Sequence, residues 1–342
     1  MKSPITLNEM ERRMEPGVII TYRKEEYTIV HHYWLCTDSG ERFTDAAMDD
    51  LDLGQVHNQY RERYGIPFPE EIKSIRDKYG VSASKMSEIL GLGANSWRNY
   101  EAGEVPSVAN GRLILAVKDP LEFIRQVEAS SPVLTEKERE NLLKHARKVA
   151  HNEETEREAE REKITVFRKN RPGQFTGYRV PDLNRAAQMI LFFAHQMPDL
   201  VKTKLNKLLY YADFLHFSRY GQSISGMEYR AIQHGPVPAD YDKLLLRLSE
   251  DGQIELEQTE FPSGFYGEVI QPKQEVDFTH FGPEEQAILQ DVATRFSNVK
   301  TKELVDLSHQ EAGWKANVEG KGLVSYREFG FAVSPESGIF EA

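Results

Sequence analysis

Two glycines, Gly91 and Gly93, separated by a single leucine and flanked by short amphipathic stretches, constrain this chain more than any other feature. Upstream, Met86, Ile89 and Leu90 fall at helical spacing and give a first short helix an inner face. Ser84, with Ser87 and Glu88 behind it, is the predicted cap of that helix. Glycine tolerates positive φ, so Gly91 to Gly93 let a second helix cross the first within a few residues. That second helix buries Trp97 and Tyr100, ends at Gly103, and leaves Asn95, Ser96, Arg98 and Asn99 on or beside its outer side. Two short helices crossing at such a turn form a helix-turn-helix, predicted over residues 71–127, and the early residues of its second helix enter a major groove. Asparagine pairs with adenine through N6 and N7, and arginine suits guanine or a phosphate. The predicted base readers are Asn95 and Asn99, with Ser96 beside them and Arg98 on base or backbone. Ser84 and Lys85 are predicted phosphate contacts.

A net charge of −11 at first argues against nucleic acid. The distribution matters more than the total. Residues 1–60 carry about −5, residues 61–150 about +2 and residues 151–342 about −8, so the positive third holds the helix-turn-helix. So weak a basic footprint predicts modest affinity for one copy and a homodimer on two half-sites. Among 342 residues there is one cysteine, which excludes an internal disulfide, and no apolar run approaches the roughly 20 residues of a membrane span. No apolar signal-peptide core follows Met1, so a cytoplasmic protein without membrane contact is expected.

The chain divides into four segments. Residues 1–65 hold a small predicted three-stranded sheet (18–22, 27–30 and 31–35) rich in β-branched and aromatic residues, followed by a helix near 49–65. Residues 66–130 hold the helix-turn-helix. Residues 131–175 form a charged linker: Leu142, Leu143, Ala146 and Val149 suit one buried helical face, whereas the run around Glu153 to Glu158 suits none; a helical arm and a disordered acidic tether both satisfy this composition. Residues 176–342 are mixed, with predicted helices near 182–196, 199–219, 238–250, 283–296 and 300–309. Strands are expected at 253–258 and 265–271, around a turn at Pro262-Ser263-Gly264. The helix at 199–219 carries an apolar face of Leu205, Leu208, Leu209, Ala212, Leu215 and His216. The fold class expected is multidomain: a β-ribbon-like N-terminus, a helical DNA-binding domain and a C-terminal α+β domain.

Gly91-x-Gly93-x-Asn95 and Arg98-Asn99-Tyr100-Glu101-Ala102-Gly103, followed by Pro106-Ser107 and the helix from Asn110 to Val117, are similar to the helix-turn-helix of MqsA-type antitoxins and their Xre-like relatives. The resemblance covers residues 60–127 and implies operator reading by Asn95. Position 99 departs from that pattern, with asparagine where arginine is common. Related antitoxins carry a zinc ribbon upstream, and Cys36-Thr37-Asp38-Ser39-Gly40 resembles its second knuckle with Ser39 in place of the second cysteine. Tetrahedral zinc needs four such donors. One thiolate remains, and the adjacent His31 and His32 point to opposite faces of a strand. A metal-free sheet is expected, and no cofactor.

Further along, Lys204-Leu205-Asn206-Lys207-Leu208-Leu209-Tyr210-Tyr211-Ala212, then His234-Gly235-Pro236-Val237, then Leu307-Ser308-His309 and Gly313-Trp314 occur in order. Within these stretches the pattern Lys-Leu-x-Lys-Leu-Leu-Tyr-Tyr-Ala…Gly-Pro-Val…Tyr…Leu resembles the SocA-like antitoxin domain, also called Panacea, over about 180–320. The resemblance implies recognition of a cognate toxin encoded nearby. Lys204, Lys207, Tyr211 and His234 are the candidate toxin contacts, while Leu208 and Tyr210 are assigned to the core. His216, His234 and His309 with Asp213 and Asp240 are the one set from which acid–base chemistry is conceivable. There is no nucleophile elbow, no glycine-rich phosphate loop and no metal-ligand spacing, so catalysis is not expected. The function expected is that of a type II antitoxin which neutralises its toxin by binding and represses its own operon. A proteolytic adaptor that delivers a toxin to an ATP-dependent protease, and a phage or mobile-element regulator, are the alternatives.

Overall fold

The computed structural model describes all residues except 131, 162, 168–170, 261–265 and 334–342. The described residues are a mixture of helices and small antiparallel sheets, as the composition implies. They group into two compact units. One joins residues 1–56 to residues 164–342, and the other is residues 57–163. The N-terminal sheet thus shares a unit with residues 164–342.

The sheet is built from β1 (Glu11–Tyr22), β2 (Glu25–Leu35) and β3 (Arg42–Phe43) in the order β1-β2-β3, all antiparallel. Arg23 and Lys24 both take positive φ (49° and 70°), which makes the two-residue turn whose twist matches the strands it joins. The stretches 27–30 and 31–35, expected as two strands, form one. No turn former separates Val30 from His31, so the extended backbone continues. β3 pairs only with Trp34 and Leu35, and beyond it side chains of α1 (Ala46–Tyr64) take over the edge of β2. Gln55 pairs with both Val30 N–H (2.9 Å) and Val30 C=O (2.8 Å), as a strand residue would. Asp52 accepts from His32 N–H. A carboxylate at the strand edge lies between the two faces, which explains how adjacent histidines both reach it. His31 Nδ1 is 2.5 Å from Asp52 Oδ2, and His32 Nδ1 is 2.8 Å from Oδ1.

The second unit contains α2 (Pro69–Tyr79), α3 (Ala83–Ile89), α4 (Ser96–Glu101), α5 (Val108–Ala116), α6 (Pro120–Ala129) and α7 (Glu136–Glu160). Its core is Ile72, Ile75, Tyr79, Met86, Ile89, Trp97, Tyr100, Ile114, Val117, Phe123 and Val127. Tyr79 stacks on Phe123 with ring centroids 3.8 Å apart, and its hydroxyl donates to Val117 C=O at 2.7 Å. The expected cap at Ser84 is corrected to Ser82, whose hydroxyl accepts from Lys85 N–H; helical φ/ψ begin at Ala83, so Ser84 is already inside. The charged segment after Pro132 is one 25-residue helix, opened by a capping box of Thr135 and Glu138. Ala146 is fully buried and Leu142, Leu143 and Val149 pack on the same core, whereas almost every residue from His151 to Glu160 is exposed. The apolar half of the helix is therefore part of the bundle.

In the first unit α8 (Leu183–Gln196) is followed by α9 (Lys202–Tyr220), the hairpin β4 (Tyr229–Ile232) and β5 (Gly235–Pro238), and α10 (Tyr241–Glu250). A second hairpin, β6 (Ile254–Glu260) and β7 (Tyr266–Pro272), precedes α11 (Pro283–Phe296), α12 (Thr301–Ser308), α13 (Ala312–Asn317) and α14 (Tyr326–Phe329). The Pro262-Ser263-Gly264 turn lies outside the described residues. α9 departs from its expected single apolar face. Every residue from Leu205 to Ser218 is buried, because α8, α11, α12, β5 and β7 surround it. A helix buried on all sides must bury its polar residues too, and each then needs a partner. The N-terminal segment joins this unit through His32, whose ring meets the Phe331 ring edge-on at 5.0 Å, and through Leu51, close to Gly221.

Candidate functional sites

The exposed side of α4 is held from beneath by polar bonds that carry no periodic signal. Ser87 Oγ of α3 accepts from Trp97 N–H at 3.1 Å, and the Trp97 indole donates to Glu101 Oε1 at 2.7 Å. The same carboxylate receives Arg76 of α2 at 2.6 and 3.2 Å, and Arg76 also donates to Val81 C=O. Tyr100 Oη accepts from Asn110 Nδ2 of α5 at 2.9 Å. The turn is closed by Gly91 at φ 62° and by Leu92 N–H to Ser87 C=O at 2.8 Å. On this base Asn95, Arg98 and Asn99 stand exposed at positions i, i+3 and i+4, hence on one face. Asn95 occupies the N-cap position of α4 without using its side chain there, and Ser96 is half-buried. Ser84 is exposed. Lys85 is not free: its ammonium lies 2.6 Å from Glu88 and 2.9 Å from Glu138 of α7, and these two carboxylates raise its pKa.

Around α9 the buried polar groups form two clusters. In one, Asp213 is wholly enclosed and accepts from Ile224 N–H (2.8 Å), Ser225 N–H (2.8 Å), the Ser225 hydroxyl and the Tyr229 hydroxyl (2.8 Å). Burial pushes this carboxyl upward and the four donors oppose it. In the other, three side chains grip the tip of the β4–β5 hairpin. Lys207 Nζ donates to Pro236 C=O at 2.8 Å, Trp314 Nε1 donates to Ile232 C=O at 2.7 Å, and His309, stacked on Trp314 at 4.0 Å, lies beside the Gln233 backbone. Gly235 runs through the middle at φ 91°; a β-carbon there would collide with Ser308 Oγ and lie 2.9 Å from Lys207 Nζ. Burial lowers the Lys207 amine to about 7, and burial raises the Glu311 carboxyl, beside Tyr211, to about 7. The clamped tip presents Gln233 and His234 to solvent.

Of the four candidate toxin contacts, only His234 is exposed. Lys207 and Tyr211 are fully buried, the latter against Phe296, so neither presents a side chain at the surface. Lys204 is half-buried and donates to Ser297 C=O (3.2 Å) and Val299 C=O (2.8 Å), closing the end of α11. Leu208 and Tyr210 lie in the core. The five residues considered for acid–base chemistry are not assembled. His216 Nδ1 meets Gln222 C=O at 2.6 Å and burial lowers it to about 4, Asp213 is saturated by its donors, and Asp240 pairs with Lys243. His309 and His234 lie together at the clamped hairpin, and Asp213 and His216, three apart on α9, are each taken up by the loop from Gln222 to Ser225.

Cys36 is buried, with its thiol drawn down to about 6 by Ser3, then Ser39 and Thr6. Ser39 thus faces Cys36 across the turn closed by Gly40 N–H to Cys36 C=O at 2.8 Å. Among the described residues no three His, Cys, Asp or Glu side chains are grouped to hold a metal ion, and no helix is long and apolar enough to cross a membrane.

No curated protein and no solved structure matches the chain at significant similarity. Residues 205–315, from the enclosed helix α9 through the hairpin clamp to α13, match the family described as antitoxin SocA-like, Panacea domain.

Proposed function

We propose that the protein is an antitoxin of the type II class: a DNA-binding regulator of its own operon whose C-terminal domain neutralises a cognate toxin by direct binding. The observation that carries the reading is the match of residues 205–315 to the SocA-like antitoxin family. The hairpin tip at Gln233 and His234 supports a binding role. Its backbone is fixed by Lys207, His309 and Trp314, so a partner contacting it would lose little entropy in ordering it. His216 and Asp213 are taken up by hydrogen bonds to the loop after α9, away from His234, which favours binding over catalysis.

For α3 and α4 we propose a helix-turn-helix that reads an operator as a homodimer, with Asn95, Arg98 and Asn99 on bases and Ser84 on phosphate. The exposed i, i+3, i+4 face over a rigid Trp97–Glu101–Arg76 base supports it. The test is co-expression of the adjacent open reading frame with this chain and with Asn95→Ala. Growth rescue by both, with operator binding lost only in the variant, is the expected result. Failure of the intact chain to rescue growth would overturn the antitoxin reading. Disappearance of the toxin from rescued cells would instead identify a proteolytic adaptor.

A further inference from the structure

α7 is anchored along one side and charged along the other. Leu142, Leu143, Ala146 and Val149 fix its inner face to the core of residues 57–163, and Glu138 ties its first turn to Lys85 at the start of α3. Near its middle, Lys78 of α2 is held by Glu153 at 2.5 Å. Both lysines nearest this seam are therefore neutralised. The opposite face from Lys137 to His151 carries Lys137, Lys144, Arg147 and Lys148, all exposed and in no ion pair among the described residues. Lys137, Lys144 and Lys148 recur at seven and four residues, one above the next on a single stripe, with Arg147 one position to the side. Glu140 is the one acid on that face. In a chain of net charge −11, these four cations fall within twelve residues.

We infer that the outer face of α7 is a second phosphate-binding surface that lies along a DNA backbone beside the α3–α4 contact. Charge complementarity selects the partner: four cations spread over about 16 Å of helix suit a polyanion whose strand presents a charge about every 3.4 Å along its axis. The surface also resolves a mismatch within the unit. The recognition face offers a single cation, Arg98, and Lys85 is already paired, which leaves little electrostatic affinity there. α7 supplies it without any base contact, so it strengthens binding to every sequence alike.

The inference rests on the DNA-binding reading, and the experiment separates the two. Binding of the full chain to a mixed-sequence 40-base-pair duplex is followed by anisotropy across a range of salt concentrations. Intact chain is compared with Lys144→Gln/Arg147→Gln/Lys148→Gln and with a control triple, Lys2→Gln/Lys300→Gln/Lys302→Gln, in the other unit. Glutamine keeps helix propensity, and circular dichroism checks that α7 persists. The expected result is a salt slope flatter by about 2–3 in the α7 variant, with affinity at 0.1 M salt at least about tenfold weaker, and little change in the control. A slope equal to that of the intact chain, or a loss matched by the control, overturns the inference while leaving DNA binding standing. No salt-dependent binding by the intact chain would overturn both.

Discussion

The hydroxyl of Tyr229 donates to Asp213 Oδ2 at 2.8 Å with both side chains fully buried, and this bond ties the start of β4 to the middle of α9. Asp213 at the same time fixes Ile224 and Ser225, so one carboxylate sets the path of the whole loop between helix and hairpin. Tyr229→Phe removes one of four donors from an enclosed carboxylate and is expected to destabilise the unit by about 1–3 kcal/mol. Asp213→Ala strands four donors and should cost more. Urea denaturation followed by tyrosine and tryptophan fluorescence measures both, and equal midpoints for Tyr229→Phe and the parent would contradict the account.

Gly235 is the position where backbone and side-chain constraints coincide. Its φ of 91° disfavours any L side chain, and a β-carbon would meet Ser308 and Lys207 well inside van der Waals distance. Gly235→Ala should therefore displace the Lys207–Pro236 bond and loosen the hairpin tip, at a cost of at least about 1–3 kcal/mol. Under the antitoxin reading toxin binding falls with it. His234→Ala, exposed on the same tip, should weaken toxin binding without moving the denaturation midpoint, which separates contact from scaffold.

The buried ionisable groups give the unit a pH profile with a definite sign. Lys207 falls from its usual 10.5 to about 7 on folding, so between about 7 and 10 the unfolded chain holds a proton that the folded chain lacks. Stability from this group rises with pH across that window, by up to about 1.4 kcal/mol per pH unit. Glu311 is raised from 4.5 to about 7, which makes the folded chain the better proton binder between those values and lowers stability as pH rises through them. His216, depressed from 6.5 to about 4, acts oppositely and offsets most of that slope. The expected curve is shallow below pH 7 and climbs above it. Lys207→Met should flatten the climb in a series of denaturation curves from pH 6 to 10; an unchanged climb would assign it to other groups.

Periodicity located α10, α11 and α12, because each buries one side and exposes the other. α8 was located by its apolar run, with Met189 to Ala194 buried in succession, and α13 and α14, of six and four residues, were too short to show a period. Periodicity misdescribed α9, where burial on all sides erases the contrast between faces. For the same reason Lys207 and Tyr211 read as surface residues: a lysine beside an asparagine looks solvated until its neighbours in space are known. Trp97 and Tyr100 were legible as core from their spacing, and the exposed set Asn95, Arg98 and Asn99 followed from them. The Arg76–Glu101–Trp97 support was not legible, since Arg76 and Glu101 lie 25 residues apart and are joined through charge and hydrogen bonding. Nor was the union of residues 1–56 with the C-terminal unit, which depends on contacts such as His32 with Phe331, nearly the length of the chain apart.

The cap of α3 offers a test of one-residue assignment. Ser82 accepts from Lys85 N–H, whereas the Ser84 hydroxyl touches only that of Ser82, at 3.1 Å. Ser82→Ala should cost about 1 kcal/mol and Ser84→Ala much less, both read from the unfolding midpoint of the helical unit. The reverse order would place the start of α3 two residues later.

Glu138 has two duties that one substitution can separate. Its side chain closes the α7 capping box by accepting from Thr135 N–H, and it also holds Lys85 at 2.9 Å. The Thr135 hydroxyl, then Lys85, draws its carboxyl down to about 2, so the pair stays charged at any physiological pH. Glu138→Gln keeps a capping-box side chain but removes the charge beside Lys85. If Lys85 touches phosphate once released, DNA binding by this variant strengthens and its salt slope steepens by up to about 0.9 for each phosphate newly neutralised. Glu138→Ala should show the same steepening together with a lower helix content, since it loses the cap as well. A slope that stays at the parent value in Glu138→Gln would mean that Glu88 alone suffices to hold Lys85 away from DNA.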